Sequence, residues 1–138
     1  MGENAAPSGA IEPKDIVEVR LPAASAYLSV LRTATAGLAA RLDFTLDEIE
    51  DLRIAVDEAC AMLLANALPG TSLRCTFELE PDLLRIAVSV QTSDGVEPSR
   101  NTFAWTVLTA LAGEVDSSAS GDGTVTIELI KRRAAGQA

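Results

Sequence analysis

The chain has 138 residues, a mass of 14.4 kDa and 48% hydrophobic residues, enough for one domain that buries a core without disulfide support. Its 20 acidic and 11 basic residues give a formal charge of -9, a field that repels phosphate backbones and anionic membranes and argues against direct nucleic-acid binding. No apolar run reaches membrane-spanning length, residues 1–13 lack the basic-then-apolar order of a secretion signal, and no histidine or Cys-x-x-Cys pair offers a zinc site, so a cytoplasmic protein without a bound metal is expected.

Residues 1–15 are rich in Gly, Pro and Ala and read as a flexible N-terminal tail, followed by a single domain over 16–133. Ile16 to Leu21 alternates in the strand period with Val17, Val19 and Leu21 on one face. Pro22 is then expected to open a helix that runs to about Leu42. A second helix start is written at Thr45, where Thr45-x-x-Glu48 forms a capping box and Phe44 with Ile49 forms a hydrophobic staple. Ile49, Leu52, Val56, Ala59, Cys60, Leu63 and Ala67 fall on one stripe of that helix, which is expected to end at Pro69-Gly70.

Between Ile54 and Leu68 the only polar side chains are Asp57, Glu58 and Asn66. Helical spacing brackets Glu58 with Ile54, Ala55, Ala61 and Met62, so the carboxylate is expected to be half-buried and either working or paired. A place on a plain solvent stripe is the alternative.

The period then switches to two. Leu73, Cys75, Phe77 and Leu79, then Leu84, Ile86, Val88 and Val90, make a hairpin across the Glu80-Pro81-Asp82 turn. Both cysteines read as core residues. A loop through Ser93-Asp94-Gly95 leads to a third helix, about Thr102 to Val115. Gly123 to Lys131 closes the domain as a strand with Val125, Ile127 and Leu129 on one face. The predicted fold is α+β, a two-layer α/β sandwich with a mixed, mostly antiparallel sheet and helices on one face.

Leu52-Arg53-Ile54-Ala55-Val56-Asp57-Glu58-Ala59-Cys60, placed after a helix ending Arg41-Leu42-Asp43 and before a hairpin, resembles the anti-sigma-factor serine kinases of the GHKL, or Bergerat-fold, histidine-kinase-like ATPase superfamily. These are bacterial switch proteins of the RsbW and SpoIIAB type, and the similarity is to actinobacterial members that regulate a stress or developmental sigma factor of the SigF group. Gly121-Asp122-Gly123-Thr124-Val125 is similar to the family's closing Gly-x-Gly-Thr segment.

The resemblance implies an Mg-ATP site built from three pieces. Glu58 matches the catalytic Glu, while Met62 stands where the family has a magnesium-binding Asn, with Asn66 one further turn along. The family's adenine loop, Asp-x-Gly-x-Gly, is matched by Ser93-Asp94-Gly95-Val96-Glu97, which keeps Gly95 and offers Asp94 after a one-residue shift; an ordinary turn is the plainer reading. The glycine-rich lid is matched by Asn101-Thr102-Phe103-Ala104-Trp105, without glycine, and Phe103 and Trp105 read as core anchors. Gly123 and Thr124 complete the implied cofactor set. Arg32 matches an Arg used near the sigma contact, with a solvated surface Arg as the alternative.

The favoured reading is an anti-sigma factor with a degenerate ATP site. It would sequester an alternative, SigF- or SigB-type sigma factor and be released by a STAS-type anti-anti-sigma factor in a partner-switching stress response. The alternative is an active ATP-dependent serine kinase acting on that anti-anti-sigma factor, with Glu58 as general base and Asn66 or Asp94 in rearranged roles. Members of the family that the chain resembles are commonly homodimers, and the half-apolar sheet would tolerate one here.

Overall fold

The computed structural model describes residues 15–134. Of the expected tail, residues 1–14 lie outside the described residues, and Asp15 already opens the first strand. The order is β1 (Asp15–Pro22), a short 3-10 turn (Ser25–Tyr27), α1 (Leu28–Arg41), α2 (Leu46–Leu64), β2 (Ser72–Glu80), β3 (Leu83–Gln91), α3 (Phe103–Ala112), β4 (Glu114–Ala119) and β5 (Thr124–Arg132).

The strands form one sheet in the order β1-β2-β3-β5-β4. The sheet was expected to be mixed and mostly antiparallel; every pairing is antiparallel. The register lines up apolar residues in rows across all five strands: Val17, Phe77, Ile86, Leu129 and Val115 in one, Leu21, Leu73, Val90, Val125 and Ala119 in another. Because side chains alternate faces along each strand, these rows fall on the face that the helices cover. Phe77, Ile86, Leu129, Leu73, Val90 and Val125 are buried there with Leu31, Leu52, Val56 and Leu108 of the helices. Truncating a buried leucine in such a core costs about 2–5 kcal/mol.

The α2 start is as read. Glu48 N–H donates to Thr45 Oγ1 at 3.1 Å and Thr45 N–H donates to Glu48 Oε1 at 2.8 Å, while Phe44 is buried and Ile49 packs against the core. Three boundaries differ. Pro22 closes β1, opposite Ser72, instead of opening α1. Helix α2 stops at Leu64 rather than at Pro69, because Leu68 N–H donates to Gln91 O and Ala67 bridges Thr92, which draws the chain off toward the end of β3. Gly113, at φ 91°, ends α3 short of Val115 and turns the chain into β4. Strand β4, Glu-Val-Asp-Ser-Ser-Ala, lies at a sheet edge and is mostly polar, so hydrophobic alternation barely marks it.

Candidate functional site

Helices α1 and α2 form an antiparallel hairpin, and its central polar contact joins Arg32 to Asp57, a pair that the sequence did not indicate. Arg32 Nη1 donates to both carboxylate oxygens of Asp57, at 3.0 and 3.1 Å. Glu58, the next residue, is half-buried on α2, and its side chain makes no hydrogen bond or ion pair among the described residues. Met62, one turn on, is partly buried against the core. Asn66 does not continue that line: it lies in the turn beyond α2, exposed, with its backbone N–H on Leu63 O. Glu58, a thioether and an amide that has left the helix do not make the oxygen-rich shell that Mg²⁺ requires.

The other candidate residues gather at the far ends of β3 and β5. Thr92, only 5% exposed, staples the two loops together. Its hydroxyl and its backbone N–H both donate to Gly123 O, at 2.8 and 3.0 Å, and its Oγ1 accepts the N–H of Gly95 at 2.8 Å. Gly95 and Gly123 have φ of 63° and 92°, the left-handed region that favours glycine. At Gly123 a Cβ would also lie 3.1 Å from Thr92 O. Sequence reasoning missed Thr92; the available signal was a hydroxyl residue directly between an apolar strand and Ser-Asp-Gly.

Asp94 is exposed and its Oδ1 accepts the N–H of Val96 at 3.1 Å, an ordinary Asx turn. Asp122 is fully solvated. Hydrogen bonds from the Ser120 hydroxyl first, then from the Thr124 N–H, hold its carboxyl down at about 2. Thr124 in turn donates its hydroxyl to Gln91 Oε1 at 3.1 Å, and Gln91 Nε2 donates to Asp122 O. The result is a shallow polar depression of about 370 Å³, lined by Thr92, Ser93, Asp94 and Gly95 from one loop and by residues 120–123 from the other. Its lining carries two carboxylates and no cation, which disfavours a phosphate chain. Glu58 and Asn66 are not among the lining residues.

The β3–α3 loop is tied down by Arg100. Its guanidinium stacks over Trp105 at 4.8 Å, and Nη2 donates to Asp116 Oδ1 at 2.7 Å and to Ser117 Oγ at 3.1 Å. Ser117 Oγ donates in turn to Glu97 Oε1 at 2.6 Å. The α3 N-terminus is occupied by Thr102, whose hydroxyl accepts the Trp105 N–H. Trp105, 8% exposed, is the core anchor expected, but Phe103 is 82% exposed and is not: as the first residue of α3 it lies outside the stripe of Trp105, Leu108 and Ala112 that meets the core. Among the described residues no group of three or more His, Cys, Asp or Glu side chains gathers to hold a metal ion.

No family model matches the chain. The anti-sigma-F factor RsbW of Mycobacterium tuberculosis (strain ATCC 25618 / H37Rv) is 36% identical to it over 127 residues, covering 86% of this chain and 74% of the relative. The chain belongs to the RsbW family. The serine-protein kinase RsbW of Halalkalibacterium halodurans is 35% identical over 82 residues, 59% of this chain and 51% of the relative, and that of Bacillus subtilis (strain 168) is 43% identical over 53 residues, 38% and 33%. A crystal structure of the RsbU and RsbW domains of a Mycobacterium tuberculosis protein superposes with a TM-score of 0.68 at 17% identity, over 88% of this chain and 33% of the other, and shows the shared fold. RsbW relatives thus carry two kinds of name, anti-sigma factor and serine-protein kinase. The RsbW fold seen here is the α+β sandwich expected from the sequence, and among the described residues no helix is long and apolar enough to cross a membrane.

Proposed function

We propose that this chain is an anti-sigma factor that acts in the cytoplasm, sequesters an alternative sigma factor of the SigF or SigB type by protein contacts, and yields it to a STAS-type anti-anti-sigma factor. The observation that carries this reading is the 36% identity, across most of both chains, to a relative named anti-sigma-F factor. Helix α1 supports it. Arg32 and Arg41 are its only charged residues, and apart from Arg41 at its C-terminal end its exposed positions, Ser29, Val30, Thr33, Gly37 and Ala40, are uncharged in a chain of net charge -9. Such a face loses little by being desolvated against a protein.

Sequestration without phosphotransfer is part of the proposal. Gly95, Gly123 and Thr124, the implied nucleotide contacts, spend their backbone and hydroxyl groups on Thr92, Gln91 and Asp122, and Asp94 closes its own turn. Calorimetric titration of the purified chain with the sigma factor, with and without Mg-ATP, tests this: tight binding unaffected by nucleotide is expected, and absence of sigma binding would refute the anti-sigma reading. Sedimentation of the same samples decides whether the unit is the homodimer common in the family.

One observation favours the serine-kinase alternative, namely that Glu58 is retained, half-buried and without a partner among the described residues. Incubating the chain with Mg-ATP and the anti-anti-sigma factor separates the two. No phosphoserine is expected, and phosphoserine that vanishes in Glu58→Gln would establish the kinase.

A further inference from the structure

The Arg32–Asp57 contact has an asymmetry that a simple helix-to-helix strut does not need. Both oxygens of Asp57 crowd onto one nitrogen, Nη1. A guanidinium has five N–H donors in a rigid plane, and its Nε–Nη2 edge is the fork that matches a carboxylate in two parallel bonds. That edge is unused among the described residues, and the two side chains remain 36% and 37% exposed. Asp57 itself is fixed on the long helix α2, whose buried face of Leu52, Val56, Ala59 and Leu63 is locked into the core.

A free arginine on a helix surface samples many rotamers, and ordering it on binding costs affinity. Here that ordering is already done in the unbound chain. We propose that Asp57 is a positioning residue for partner binding: it holds Arg32 by Nη1 so that the Nε–Nη2 edge faces outward, ready for a carboxylate on the partner. The partner chemistry follows from the unused donors. Asp57 already offsets the charge of Arg32, so what selects the partner is the donor geometry: the Nε–Nη2 edge offers two parallel N–H groups, and a carboxylate is the acceptor that takes both. This rests on the anti-sigma reading and names a residue through which it works.

The test uses the purified sigma factor as probe and measures both affinity and melting temperature. Asp57→Asn and Asp57→Ala are expected to weaken binding by about three- to tenfold, the cost of ordering one long side chain, while the melting temperature moves by no more than about 4 °C because the pair is exposed. The reversed pair, Arg32→Asp with Asp57→Arg, restores the helix-to-helix contact and the melting temperature but leaves binding weak, since the outward fork is now on the wrong helix. Wild-type affinity in both Asp57 variants, or recovery of affinity in the reversed pair, overturns the positioning role alone. No binding by the wild-type chain overturns the anti-sigma reading, and the positioning role with it.

Discussion

The two ends of this domain treat their polar groups in opposite ways. At the loop end, Thr92, Gly95, Gln91, Gly123 and Thr124 satisfy one another, and Arg100 ties the next loop to β4. On the α1–α2 flank, Glu58 and the outer edge of Arg32 are left without partners among the described residues. Hydrogen-bonding groups that are already spent stabilise the fold but cannot recognise a ligand without first being freed. The contrast therefore sets an end whose polar groups are spent against the flank proposed above for recognition, while the family resemblance implies function at both.

The sharpest way to break this comparison is at Gly123. Gly123→Ala forces a side chain into φ 92° and against Thr92 O, and is expected to cost about 2–3 kcal/mol of stability, read as a lowered melting temperature. Sigma-factor affinity, measured well below that temperature, is expected to be unchanged; a large loss of affinity would move the recognition surface to the loop end. Thr92→Val keeps the shape but leaves the Gly95 N–H without its acceptor, for about 1–3 kcal/mol in urea denaturation.

A third expectation concerns the core that both ends share. Burial, and then the charge of Asp57, push the Cys60 thiol up to about 12, and burial raises Cys75 as well. A thiol raised in the folded state contributes stability that is complete below its ordinary value of 9.0 and is lost as pH climbs toward about 12. The urea midpoint is thus expected to fall between about pH 9 and 12, and Cys75→Val, similar in size, to flatten that fall. The smallest effect is Arg100→Ala. Its partners Asp116 and Glu97 are exposed, so the loss is expected to stay below about 1 kcal/mol. Appearance of Mg-ATP binding in that variant would mean that the loop ties, rather than the altered residues, had closed the nucleotide site.

Much of the molecule was legible in the amino-acid sequence. The capping box at Thr45, the hairpin of β2 and β3 and the half-buried placing of Glu58 all follow from local spacing, which a helix or strand expresses wherever it sits. Asn66 was misplaced on a continuing helix because nothing local to residues 65–69 reports that Gln91 will capture Leu68. Phe103 was taken for a core anchor because hydrophobicity alone does not say which side of α3 meets the sheet. Strand β4 escaped notice because an edge strand takes its hydrogen bonds from β5 and needs little apolar patterning of its own.

The sequence by itself determined the three helices and four of the five strands, the apolar alternation that makes a two-layer sandwich, and the kinship with RsbW proteins, because these depend on periodicity and on residues near each other in the chain. Only the tertiary structure decided which polar groups are spent and which are free. Thr92 with Gly123, Arg100 with Asp116 and Arg32 with Asp57 are long-range pairs, and a hydrogen bond between distant residues exists only once the core has packed and brought their elements together.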